Sequence, residues 1–360
     1  MTDLLQRAPS LVAGRPPLRC GQFSGVWRPR MVAVTLAGIG LTVLMAMVNI
    51  SRGEFPIALG EVLAVLLGGG GEASQQFIVL DLRLPRTLTA ILVGAALGLS
   101  GAITQTVARN PLASPDILGV TAGASTAAVI VIVLGGSLPV VASISDLVGL
   151  PLAALLGGLL TAVIVYGLSW RRGIEGYRLV LVGVGVGAVA EALTSWMLVY
   201  ADITDAARAT VWLTGSLNAR GWEHVVPVAT ALAVLVPIGL LLAFGLGALQ
   251  LGDDTARSLG VRVDRARSAL LLTAVGLAAI ATASAGPIAF VALVVPQVCL
   301  RLVGFPRPPL LASTVYGALL LLTSDVIART TLPVELPVGI ITAILGAPYL
   351  IWLLVRGNRA

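Results

Sequence analysis

TLTAILVGAALGLSGAITQTVA, residues 87–108, carries no charge and is bounded by Arg86 and Arg109. A helix of roughly 20 apolar residues crosses the hydrocarbon core of a bilayer. An isolated strand would leave backbone groups unpaired in lipid, so the stretch predicts a membrane-spanning helix. Gly94, Gly98 and Gly101 fall close to one face of it, a spacing that lets a second backbone approach.

The same reading repeats outward in both directions. Spans are predicted near 31–50, 87–108, 117–135, 147–170, 178–200, 225–246, 267–284, 287–303, 309–329 and 337–355, ten in all. The seventh and eighth meet at Ala283-Ser284-Ala285-Gly286-Pro287, which reads as a tight turn or as a kink inside the membrane. Hydrophobic residues make up 57% of the 360, charged residues 11%, and mean hydropathy is +0.99. A soluble domain cannot bury that much apolar surface, whereas a multi-span bundle can turn it towards lipid. The fold class expected is all-α and polytopic.

Orientation comes from arginine, because the chain has no lysine. If the N-terminus is cytoplasmic and the spans alternate, the outer side holds Arg52, Arg83, Arg86, Arg208, Arg220 and Arg329. The other 17 arginines lie inside. Basic residues accumulate in cytoplasmic loops, so both termini are expected in the cytoplasm, with the chain multi-pass in the cytoplasmic (inner) membrane. Residues 1–30 are polar, basic and contain proline, and are expected to form a disordered cytoplasmic tail. One transmembrane domain, 31–356, and a short cytoplasmic tail, 357–360, follow. The first apolar run is too long for a signal-peptide core, and no Ala-x-Ala site closes it, so no cleavage is expected. Cys20 and Cys299 are far apart and predict no structural disulfide.

Composition also excludes chemistry. A phosphate-binding Walker loop needs a lysine, so ATP is not hydrolysed here in that way. One histidine, His224, and two separated cysteines cannot build the usual transition-metal cage, and no cofactor is expected. Within the spans the clear carboxylates are Glu191 and Asp325. Glu191 either lines a watery pathway or hydrogen-bonds a neighbouring helix. Asp325 and Arg329, four residues apart, are expected to pair. Neither belongs to a relay of titratable groups, which counts against a proton-driven carrier.

Four ordered stretches, spread over about residues 55 to 356, resemble the permease subunits of bacterial ATP-driven importers for iron–siderophore complexes, haem and cobalamin. They are Arg83-Leu84-Pro85-Arg86-Thr87-Leu88 leading to Ser100-Gly101-Ala102; Asn110-Pro111-Leu112-Ala113 with Pro115-Asp116-Ile117-Leu118-Gly119-Val120; Leu251-Gly252-Asp253-Asp254 with Ala256-Arg257-Ser258-Leu259-Gly260-Val261; and Glu335-Leu336-Pro337-Val338-Gly339 with Gly346-Ala347-Pro348. Trp212-Leu213-Thr214-Gly215-Ser216 also matches.

Read from its residues alone, 252–260 is a short helix with acid at its start, arginine further along and glycine at its end, at rest on the membrane surface. The resemblance implies that it is the helix that couples the permease to a cytoplasmic ATPase dimer. Arg83 and Arg86 read alone as interfacial anchors. The resemblance implies that they and Arg329 dock a separate substrate-binding protein. It implies further that Asn110 and Leu112 contribute to an inner gate, and that the span 178–200 lines a cavity beside a second permease subunit, the same or a related chain. The expected whole is a type II importer permease, with no catalysis on this chain. It passes a metal chelate by alternating access, with ferric siderophore placed ahead of haem and cobalamin. An ion-coupled carrier or a non-transporting scaffold are the competing classes. Two positions depart from the pattern. Gln297 follows Pro296 where a histidine is usual, and Gly173-Ile174-Glu175-Gly176-Tyr177 replaces small hydroxyl residues near the expected gate.

Overall fold

The computed structural model of the chain describes residues 17–20, 23–26, 28–135, 146–170, 176–332 and 334–357. A small antiparallel hairpin, β1 Pro17–Cys20 with β2 Phe23–Val26, falls within the segment expected to be disordered. Everything else regular is helical: α1 Pro29–Ser51, α2 Leu59–Leu66, α3 Ala73–Phe77, α4 Leu84–Ala108, α5 Val120–Gly135, α6 Asp146–Ser169 and α7 Gly176–Tyr200, then α8 Ile203–Leu213, α9 Trp222–Leu241, α10 Ala243–Gln250, α11 Asp253–Ser258, α12 Val263–Ala285, α13 Val291–Val303, α14 Leu310–Thr330 and α15 Val338–Gly357.

All ten predicted spans are present as helices. Seven are long and apolar enough to cross a membrane, and Val120–Gly135, Val291–Val303 and Val338–Leu353 are shorter apolar helices. The division at Gly286 is a turn: Gly286 and Phe290 both take positive φ and separate α12 from α13. The second span starts earlier than hydropathy indicates, because the helical run extends back to Ala73. Its charged residues Asp81, Arg83 and Arg86 interrupt the apolar pattern without interrupting the helix. The turn Ile78–Arg83 is a π-turn, next to Pro85, whose ring nitrogen cannot bond back to the carbonyl of Asp81.

The bundle has a buried centre and an apolar outside. Most of α4 and α12 is buried, whereas α1 and α7 leave most of their surface exposed, including Leu36, Val43, Leu44, Leu181 and Val184. In lipid such exposure costs nothing, and close helix packing holds the bundle instead. At Gly98 a Cβ would overlap the carbonyl oxygen of Ser313, and at Gly101 that of Ala292, so α4 meets α14 and α13 backbone to backbone. Hydroxyls inside the bundle are satisfied largely one turn back, as where Thr104 donates to Ser100 O at 2.9 Å. Around α4 pack α14, α12, α13 and α9, with α1 against α14; α5, α6 and α7 pack on one another and meet the rest mainly through α12.

Candidate functional site

Among the described residues, polar chemistry gathers at the Asp325 end, at the Asp253 end, and around a cavity between them.

At the Asp325 end the carboxylate is completely buried and collects partners from three helices. Arg86 Nη2 lies 2.8 Å from Asp325 Oδ1, Asn49 Nδ2 donates to Oδ2 at 2.8 Å, and Arg329 Nε sits 3.4 Å from Oδ2. Thr87 and Arg329 both donate to Asn49 Oδ1 at 2.9 Å. Arg86 also reaches Glu335 at 3.3 Å, on the segment leading into α15. Arg83, buried, donates to the carbonyls of Ile50 and Phe55. The expected Asp325–Arg329 pair is therefore present, inside a larger clasp joining α1, α4 and α14. The three arginines expected on an outer docking surface all turn inward, and Arg86 reaches the surface only where it meets Glu335. Asn49 was not legible as its hub, although a lone asparagine in the apolar run 31–50 is the signal that marks it.

At the Asp253 end, α11 starts and stops as its sequence indicates. Gly252 precedes it at φ 108°, and Gly260 follows at φ 81°. Its two faces differ. Leu251, Asp254, Arg257 and Leu259 are exposed, and Arg257 Nη1 donates to Asp254 Oδ1 at 3.0 Å. Ala256 is buried, and Asp253 turns inward. Its carboxylate accepts from Arg267 of α12 at 2.8 Å and from Arg109, at the end of α4, at 2.6 Å. Partial burial pushes the Asp253 carboxyl up, but hydrogen bonds and positive charge from Arg267 and Arg109 outweigh it and hold the group below the usual carboxylate range. Arg109 takes positive φ, which ends α4. Asn110 Oδ1 then accepts the amide of Leu112 at 2.9 Å, folding the turn that Pro111 requires. Arg109 and Asp253 thus place the expected gate residues Asn110 and Leu112 next to the expected coupling helix. A cavity of about 370 Å3 lies there, bounded by Arg109, Ala113, Tyr177 and Arg267. Of the segment 173–177, residues 173–175 lie outside the described residues.

Between the ends, a cavity of about 810 Å3 lies among α5, α7, α15 and the Pro287–Ala289 turn. Glu191 lines it, with Asp116, Thr121, Ser125, Thr194 and Ser195. Asp116 accepts from the Thr121 hydroxyl. Thr126 and Thr194 share a hydrogen bond at 3.0 Å that ties α5 to α7. Thr194 and Ser195 follow Glu191 by three and four residues, so a polar stripe on the 178–200 span could have disclosed them. Gln297, which stands where a histidine is usual, is buried and donates to Gln105 Oε1 at 2.7 Å, clamping α13 to α4. Among the described residues no group of three or more His, Cys, Asp and Glu could hold a metal ion.

Residues 30–356 match the profile of the FecCD transport family. The ferric enterobactin transport system permease protein FepG of Escherichia coli (strain K12) is 39% identical over 331 residues, covering 92% of this chain and 98% of that one. The iron(3+)-hydroxamate import system permease protein FhuG of Bacillus subtilis (strain 168) is 39% identical, covering 88% and 95%. The hemin transport system permease protein HmuU of Yersinia pestis is also 39% identical, covering 78% and 83%. Among solved structures, an inward-facing metal-chelate type ABC transporter aligns with a TM-score of 0.79 at 28% identity, covering 90% of this chain and 99% of that one.

Proposed function

This chain belongs to the FecCD transport family, and on that premise we propose that it carries a ferric siderophore across the cytoplasmic membrane as one permease subunit of an ATP-driven importer. The observation that carries this reading is the cavity of about 810 Å3 set between two ionic assemblies at opposite ends of the bundle. Its volume falls in the range of sites that enclose small molecules. Its lining sets two carboxylates and several hydroxyls among apolar residues such as Leu198, Ile288 and Ile340.

In this reading the Asp253 end faces the cytoplasm, with both termini, and ATP is hydrolysed on separate chains. The exposed face of α11 is the part an ATPase dimer would grip, through Leu251, Asp254, Arg257 and Leu259. The inward face, through Asp253, pulls on Arg109 and so on the turn holding Asn110 and Leu112. Displacement of α11 would reach the gate in one ionic step, as rigid-body motion. A second permease subunit would close the cavity along the exposed face of α7. The substrate-binding protein would land on the Asp325 end, meeting Arg86 beside Glu335, while Arg83 and Arg329 hold that platform from within.

The test is uptake of 55Fe-labelled ferric siderophores by proteoliposomes containing the complete importer. Uptake should need ATP inside and binding protein outside, and should be indifferent to an uncoupler. Uptake abolished by the uncoupler and independent of ATP would instead establish an ion-coupled carrier. The similarity to a hemin permease makes haem the second cargo to try in the same assay.

A further inference from the structure

Resting on the importer reading, we propose that the cargo is an iron chelate without net negative charge, neutral or cationic and of the hydroxamate kind, and that Glu191 selects it. The charges around the cavity carry this. Two carboxylates, Asp116 and Glu191, line it beside five hydroxyls, those of Thr121, Ser125, Thr194, Ser195 and Thr214. No arginine lines it, and the chain has no lysine. The arginines near the two ends of the bundle are committed elsewhere: Arg86 and Arg329 to Asp325, Arg109 and Arg267 to Asp253.

Glu191 is the informative member. It lies midway along α7, Gly176–Tyr200, is exposed, and lines the cavity with Thr194 and Ser195. Among the described residues its carboxylate has no ion-pair partner. An ionisable group halfway along a span is costly unless it faces a partner or a watery path. Within this subunit no described residue supplies the partner, which leaves the carboxylate facing the cavity to meet the passing solute.

The chemistry of the chelates then discriminates. Three hydroxamates deliver three negative charges to Fe3+, giving a neutral core, and a pendant amine makes the complex cationic. Three catecholates deliver six negative charges and leave the complex trianionic. Serine and threonine hydroxyls can donate to hydroxamate oxygens or accept from amides, so the lining suits the first class. A trianion in the same space would meet carboxylate charge with no counter-ion, in surroundings where screening is weak.

The experiment uses the complete importer in proteoliposomes, with its own ATPase and binding protein held constant. Two probes are compared: the cationic ferric complex of desferrioxamine B and trianionic ferric enterobactin. Wild type should take up the cationic chelate at least tenfold faster. Glu191→Gln, which keeps shape and removes charge, should narrow the ratio several-fold. Glu191→Arg should bring it to unity or invert it. A purely structural role for Glu191 would slow both probes together and leave their ratio fixed, which would overturn the proposal. ATP-driven uptake that favours the trianion in wild type would also overturn it while leaving the importer reading intact. ATP-driven uptake of neither probe would strike the importer reading itself, and this inference with it.

Discussion

One aspartate organises each end of this molecule, and the two are built for opposite purposes. Asp325 is fully buried, with Arg86 and Arg329 beside it and Asn49 bonded to it. Asp253 also holds two arginines, but a third of its side chain meets solvent, as does 42% of that of Arg109. Each carboxylate holds two arginines, and the burial of those ion pairs sets the two ends apart. A charge sealed away from water cannot leave its partners without stranding them. A charge at the surface can exchange a partner for water at little cost. The first arrangement suits a fixed anchor, the second a joint that can be made and broken.

The contrast can be broken first at its strong side. Asp325→Ala leaves two arginine charges buried, and loss of one partner of such a cluster costs about 3–5 kcal/mol. We expect almost no monodisperse protein on size exclusion in detergent; a wild-type profile and melting curve would show that the clasp is no anchor. Asp253→Ala should do the reverse. Its melting should move by only about 1 kcal/mol or so, in keeping with partly exposed pairs, while ATP-driven uptake falls at least tenfold and ATP hydrolysis persists. Equal losses of fold and uptake would erase the distinction. Arg257→Glu, on the exposed face of α11, should weaken copurification of the ATPase several-fold and leave both ionic ends intact. Glu335→Gln should tighten binding-protein docking a few-fold at low salt, because Glu335 occupies Arg86 at the surface. Binding isotherms of the purified partner across salt concentrations measure that. The smallest effect is one of pH. The carboxyl of Asp253 lies below its ordinary value when folded, so the link is fully present above about pH 4 and is lost as pH falls through the folded value. Coupled ATP hydrolysis should therefore show no step between pH 8 and pH 5 attributable to this group. A step there that vanishes in Asp253→Asn would mean that the carboxyl titrates higher than its partners allow.

The same burial explains what could be read before the fold was known. The ten helices were legible because a span must be apolar along its whole length, and hydropathy reports that residue by residue. The α11 boundaries were legible because Gly252 and Gly260 mark them locally. The Arg329–Asp325 pair was legible from its spacing, but the partners of Arg83 and Arg86, and the Asn49 contact of Arg329, were not, since they lie on other segments and no periodicity connects them. Read alone these arginines were interfacial anchors, and only the resemblance gave them a docking role; in the fold the surrounding helices supply carbonyls and a carboxylate for them to bind. Asp116 stood in a recognised motif without a role, and it gains one only when α7 brings Glu191 to the same cavity.

The glycine contacts of α4 carry a mechanical consequence. Helices that meet through side chains can slide, because rotamers re-sort at the seam. Where Gly98 lies against Ser313 and Gly101 against Ala292, peptide planes abut, and there is no soft layer to shear. Helices α4, α13 and α14 therefore behave as the keel of the molecule, a beam that can tilt as one but cannot twist within itself. In the proposed importer, alternating access would then come from α5, α6 and α7 swinging against that beam. The cavity, which lies between α5 and α7 on one side and α15 with the Pro287–Ala289 turn on the other, sits on the seam that such a swing would open.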